Sequence, residues 1–106
     1  MKLANEFSPI RDWAEQKGIY KSGDPKTQLI KLFEEAGELS KAILKNDNVE
    51  FIDAIGDCVV VLTNLAALKG YRIEHCINVA YEVIKNRTGK MQNGTFVKDE
   101  QTTADN

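Results

Sequence analysis

The chain has 106 residues, of which 42% are hydrophobic and 28% charged, with a formal net charge of -2 and a pI near 5.4. The length and composition predict a single globular domain. The acidic balance excludes bulk binding to nucleic acid or to an anionic membrane, since both need a basic surface.

The elements, taken in chain order, predict an all-α fold. Ser8-Pro9 reads as an N-cap followed by proline at the first helical position, so a first helix is expected over about 9–16, ended by Gly18. Ser22-Gly23 marks a turn. Asp24-Pro25 is a second cap-plus-proline pair and opens a second helix, Pro25 to Leu44. Asn46-Asp47-Asn48 is a polar break that caps a third helix, Val49 to Lys69, which stops at Gly70. A fourth helix is expected from Ile73 to Arg87, ending near Gly89. Asn93-Gly94 between the short flanks Met91-Gln92 and Thr95-Phe96-Val97 signals a tight turn or small hairpin. The single domain is placed at residues 1–98, and 99–106 read as a disordered polar tail.

No uninterrupted apolar run approaches the roughly 20 residues of a membrane span, and the longest is Cys58-Val59-Val60-Val61-Leu62. The segment Met1–Glu6 lacks the apolar core of a signal peptide, so the expected location is the cytoplasm. Cys58 and Cys76 lack a metal-ligand spacing and read as small buried hydrophobes. His75 is the one histidine and reads as structural or surface.

The chemistry-bearing residues are carboxylates. On a helical wheel of the second helix, Leu29, Leu32, Phe33, Ala36, Leu39, Ile43 and Leu44 form one broad side, while Glu34, Glu35 and Glu38 form the other. Taken alone, that second face also fits a solvated surface, with Lys31 and Lys41 on it. The third helix is apolar around most of its circumference, which predicts a buried helix, yet Glu50, Asp53, Asp57 and Asn64 fall in one narrow stripe. Buried carboxylates need a partner. The stripe therefore meets a cation, basic side chains of another helix, or solvent. Two facing sets of carboxylates make the oxygen-rich surroundings that Mg²⁺ prefers. Gly37 and Gly56 interrupt the two helices at a cost near 1 kcal/mol each relative to alanine, which predicts a close approach of the acidic faces. Lys85, Arg87, Lys90 and Lys98 cluster at the end of the fourth helix and just after it. They either neutralise that helix C-terminus or clamp a phosphate group.

The stretch Glu34-Glu35-Ala36-Gly37-Glu38, followed by Asp53-Ala54-Ile55-Gly56-Asp57-Cys58-Val59-Val60-Val61-Leu62, resembles the MazG-like nucleotide pyrophosphohydrolases. The C-terminal stretch from Lys85-Asn86-Arg87-Thr88-Gly89-Lys90-Met91 to Gly94-Thr95-Phe96-Val97-Lys98 is similar to the short MazG-like proteins of phages and bacteria. The resemblance runs from about Ser8 to Lys98. It implies an all-α fold of about four helices forming an oligomeric bundle, a homodimer or homotetramer. It also implies Mg²⁺-dependent hydrolysis of a (d)NTP to (d)NMP and pyrophosphate in nucleotide-pool housekeeping, with Mn²⁺ as a substitute metal.

Within that resemblance, Glu35 and Glu38 correspond to metal ligands of the first motif, and Glu34 to a leading glutamate that positions or deprotonates water. Asp57 corresponds to the terminal aspartate of the second motif. Ala54 departs from the pattern, because many members carry glutamate there. Asp53 with Asp57 is the favoured replacement set, with Glu50 close by. Asn64, Lys85, Arg87 and Lys90 are the expected substrate-binding residues. Trp13 reads as core or interface, with a weaker reading as support for the base. The alternative is a non-catalytic helical oligomerisation or adaptor module whose acids are a solvated face.

Overall fold

The structure, a computed structural model, describes residues 5–99. Five helices and one two-stranded sheet follow in order: α1 (Phe7–Gln16), α2 (Ile19–Ser22), α3 (Pro25–Leu44), α4 (Asn48–Leu68), α5 (Ile73–Ile84), β1 (Gly89–Gln92) and β2 (Thr95–Lys98). The fold is thus mostly helical, with one helix more than the sequence pattern predicts. The extra element is α2, a single turn that the Gly18 and Ser22-Gly23 signals conceal.

The punctuation residues explain most boundaries. α1 starts ahead of the expected cap: its N-cap is Glu6, no side chain caps it, and Ser8 lies inside the helix. Pro9 is still in the first turn, where a missing N–H costs nothing. Gly18 takes φ +80°, a left-handed conformation that releases the chain from α1. Asp24 caps α3 by accepting from the Thr27 N–H and the Thr27 hydroxyl, both at 2.9 Å. Those bonds hold the Asp24 carboxyl below its usual range. Asp47 caps α4 by accepting from the Glu50 N–H at 3.1 Å. α5 stops at Ile84 rather than Arg87, so Lys85, Asn86, Arg87 and Thr88 form an exposed connection to the sheet.

Lys45-Asn46-Asp47 is a connection so short that α3 and α4 must run antiparallel, as a helical hairpin. Asn46 has φ 55°, the left-handed turn that reverses the chain there. α4 is the hub, packing on α3 above all and also on α1, α2 and α5. Ala42 of α3 and Ala54 of α4 are buried at the hairpin interface, with Ala14 and Val61 completing the buried apolar set. Two polar residues of α4 are buried as well, and both are satisfied. Thr63 donates its hydroxyl to the Val59 carbonyl at 2.7 Å, and Asn64 Oδ1 accepts from the Tyr20 hydroxyl at 2.7 Å. Burial pushes the Tyr20 phenol above its usual pKa.

A bidentate ion pair ties the two ends of the helical body together. Arg11 Nη1 and Nη2 donate to Glu74 Oε1 and Oε2, each at 2.7 Å, joining α1 to α5. Arg72 adds a third bond to Glu74 at 3.2 Å. The Arg11 bonds bring the Glu74 carboxyl down to about 2 and raise the Arg11 guanidinium.

The structure corrects the expectation that α4 is buried. Only Ala54, Val61, Thr63 and Asn64 of its residues are buried, because one chain supplies neighbours for only part of its circumference. Apolar side chains remain uncovered on several helices, Phe33 at 68% and Leu44 at 84% among them. The radius of gyration is 16.8 Å, against about 13 Å for a compact chain of this length. α4 also has 21 residues and a mean hydropathy of 1.8 over its apolar window, so by length and composition it meets the criterion for crossing a membrane. The run Cys58–Leu62 understated it. The cysteines depart from expectation too: Cys58 is half-buried, Cys76 is exposed, and both are free thiols.

The C-terminal segment is the predicted hairpin. β1 and β2 pair antiparallel, Gly89 with Lys98, Lys90 with Val97, Met91 with Phe96 and Gln92 with Thr95. Asn93 and Gly94 supply the two positive φ angles, 51° and 83°, that a tight two-residue turn needs. Asp99, expected to open the tail, instead closes the hairpin: its N–H donates to the Thr88 carbonyl at 2.9 Å and its carboxylate accepts from the Thr88 hydroxyl at 2.6 Å. The rest of the expected tail, 100–106, lies outside the described residues.

Candidate active site at the helical hairpin

The short connection between α3 and α4 fixes which carboxylates share a level. Residues equally far from it on the two antiparallel helices lie side by side, because each residue advances about 1.5 Å along its axis. Glu35 is as far before the connection as Asp57 is beyond it, and Glu38 is as far before it as Ala54 is beyond it. The first acidic motif therefore runs alongside the second. Ala54, at the level of Glu38, and Ala42, one turn nearer the connection, are the small buried residues of these two helices.

Burial separates the acids. The Glu35 side chain is only 18% exposed and sits 3.7 Å from Lys31 Nζ, one turn earlier on α3. Asp57 is half-buried, while Glu34, Glu38, Glu50 and Asp53 are exposed. Glu38 and Glu50 line one cleft of about 270 Å³ with Lys41, Lys45 and Asp47. Asp57 lines a second cleft of about 390 Å³, whose other walls are Pro9, Ile10, Trp13 and Val60. One carboxylate thus faces an apolar recess roofed by the chain's single indole.

Oxygen donors of this kind suit a hard divalent cation. Among the described residues of one chain, however, no three of the carboxylates, thiols or imidazole converge as a metal site. The single chain brings the donors onto facing helices and stops short of closing a cage. Gly37 and Gly56 do not act as expected either: a Cβ at either position meets nothing within 4 Å. Close packing inside one chain is not their role.

The remaining expected residues are spread out. Asn64 is 2% exposed, and its amide oxygen is taken by Tyr20. Lys85 is 2.7 Å from Glu82 on α5. Arg87 and Lys90 are exposed at the root of the hairpin. Sequence reasoning missed the Arg11–Glu74 pair, since nothing in a sequence links charges 63 positions apart. It also gave little weight to Trp13 beside a carboxylate. The apolar faces of α1 and α4 carried that signal, but only their packing reveals it.

A pair of antiparallel helices with acidic motifs at matching levels and an adjoining aromatic cleft defines a mostly helical, acid-rich class of fold and site. Residues 24–92 match the family model described as the MazG nucleotide pyrophosphohydrolase domain. That match covers more than half of the chain, and the chain belongs to this family. A relative from Haemophilus phage HP1 (strain HP1c1), described as an uncharacterized 18.2 kDa protein in the rep-hol intergenic region, is 44% identical over 57 residues. Those residues are 54% of this chain and 35% of the phage protein, so the match spans about a third of that relative's length. No solved structure matches the chain.

Proposed function

We propose that the chain hydrolyses (d)NTPs to (d)NMP and pyrophosphate, acting on the nucleotide pool of the cytoplasm. The observation that carries this reading is the level of Glu35 with Asp57 across the α3–α4 hairpin, next to the Trp13 cleft. In this reading Glu35, Glu38 and Asp57 hold Mg²⁺, or Mn²⁺ in its place. Glu50 or Asp53 stands in for the carboxylate missing at Ala54. The cleft that Glu38 shares with Glu50 favours Glu50 over Asp53. When bound, the cation neutralises phosphate oxygens and lowers the pKa of a water.

The chain's own residues do the rest. The indole of Trp13, with Pro9, Ile10 and Val60, gives a nucleobase an apolar surface to stack on and excludes water there. Glu34, exposed on the same helix as the ligand pair, orients the attacking water and accepts its proton. Lys85, Arg87 and Lys90 hold phosphate oxygens, arginine in bidentate fashion and lysine as a point charge. Asn64 serves the site at one remove, by fixing Tyr20 and with it the short helix α2. The uncovered apolar surface of α3, α4 and α5 supports a homodimer or homotetramer, and neither nucleic acid nor a membrane is needed as partner.

The lack of converging ligands within one chain favours a second reading, a non-catalytic helical module. Two measurements separate them. Incubation with a panel of (d)NTPs and Mg²⁺, scoring monophosphate and pyrophosphate, is expected to show turnover by wild type and none by Glu38→Gln. Thermal melting with millimolar Mg²⁺ or Mn²⁺ is expected to shift upward. An inactive wild type with an unshifted melt establishes the module instead.

A further inference from the structure

The hairpin β1–β2 is folded but uncovered. Every residue from Glu82 to Asp99 is exposed, and the sheet's substantial contacts are between its own two strands. An isolated two-stranded hairpin is marginal in water. This one is nevertheless built with care. Its turn has the Asn-Gly pair, its base is closed by Thr88 and Asp99, and the Phe96 ring lies over Gly89, where an added Cβ would come 2.7 Å from Phe96 Cζ.

Its two faces differ. Cross-strand partners share a face and successive residues alternate. Met91 and Phe96 therefore lie together with Lys98 and Gly89, while Lys90 and Val97 lie on the other side. Met91 and Phe96 are 65% and 47% exposed. One face of the hairpin is thus an apolar pad carrying a lysine at its edge.

Charge indicates what covers that pad. Residues 85–98 hold four cations and no carboxylate in a chain whose net charge is -2. The complementary surface is the acidic face of α3 and α4, bearing Glu34, Glu38, Glu50 and Asp53, and it is flanked by uncovered apolar residues such as Phe33 and Ile52. The side chains at the rim agree: Phe33 and Ile52 are 68% and 71% exposed, an apolar border that a monomer leaves in water.

We infer that the hairpin is an exchanged arm. Its Met91–Phe96 face packs on a second copy of this chain and places Lys98 at that copy's acidic α3–α4 site, as a phosphate-binding group supplied in trans. The inference rests on the hydrolase reading for the role of Lys98, but not for the docking of the arm.

Two experiments on the full-length protein test it. In the first, differently tagged Glu38→Gln and Lys98→Ala chains are purified singly and after co-expression. Lys98→Ala is expected to lose at least about tenfold in activity, the scale of a lost charge-assisted phosphate bond, with its melting temperature unchanged. The mixed dimers are expected to regain activity, to about a quarter of wild type for random pairing, because one of their two sites is then intact. Full activity of Lys98→Ala, or no recovery on mixing, overturns the proposal while leaving the hydrolase reading standing. In the second, amide hydrogen exchange is followed across a dilution series. The hairpin amides are expected to be protected at high concentration and released on dilution, and Met91→Ala with Phe96→Ala is expected to release them at all concentrations. Free-peptide exchange at every concentration overturns the arm, whether or not any nucleotide is hydrolysed.

Discussion

Breaking the Arg11–Glu74 pair removes the side-chain link between α1 and α5, and its cost can be worked from the geometry. Glu74 is held at about 2, well below its usual range, first by the Arg11 hydrogen bonds. A shift of that size from an unfolded value near 4.3 corresponds to about 3 kcal/mol at neutral pH. Both side chains are nearly a fifth exposed, and Arg72 shares the carboxylate, so solvent screening reduces the pair to about 1–2 kcal/mol. The sign follows from the direction of the shift. A depressed carboxyl stabilises the fold at any pH above its unfolded value, and that stability is lost as pH falls from about 5 through 2. Urea unfolding of wild type, Arg11→Ala, Glu74→Ala and the double variant, at one fixed protein concentration, gives the coupling energy directly. The expected coupling is about 1–2 kcal/mol at pH 7 and near zero at pH 2. A coupling below about 0.3 kcal/mol at pH 7, or one that persists at pH 2, refutes the reasoning.

Tyr20→Phe leaves the buried Asn64 amide oxygen unpaired and is expected to cost about 1–3 kcal/mol by chemical denaturation. Gly37→Ala and Gly56→Ala put a methyl group into open space, so each is expected to stabilise its helix by close to 1 kcal/mol, read as a higher melting temperature. A loss instead, accompanied by dissociation on a sizing column, shows that a second copy approaches those glycines. Asp47→Ala removes the α4 cap and is expected to cost about 1 kcal/mol, visible as a lower urea midpoint.

The sequence made the long helices legible because their stops are chemical. Asp24-Pro25 and Leu44 bound α3 where cap and pattern say they should, and Asp47 caps α4 as expected. Asn93-Gly94 announced the hairpin turn. Boundaries failed where the signal was generic. Ser8-Pro9 resembles a cap, but the helix already starts at Phe7, and a single turn such as α2 is too short to leave a periodic pattern. The acidic residues of the candidate site were legible as types, since carboxylates on an apolar helix require an explanation. Their grouping was not. Glu38 shares a cleft with Glu50, and Asp57 shares one with Trp13, because of where the helices cross, and a helical wheel holds one helix at a time. The apolar girth of α4 predicts a buried helix, and within one chain only Ala54, Val61, Thr63 and Asn64 are buried, because a wheel shows which side chains are apolar and not how many neighbours surround them.

The three-residue connection between α3 and α4 also sets an order of events in folding. Contacts across a helical hairpin join residues near in sequence, so they form with little loop-closure entropy and on fast timescales. The Arg11–Glu74 clamp joins positions 63 apart and has to wait for everything between them. The α3–α4 pair, which carries all the acids of the candidate site, is then the part that assembles first and opens last. Weakening the clamp speeds unfolding and leaves the rate of folding almost unchanged.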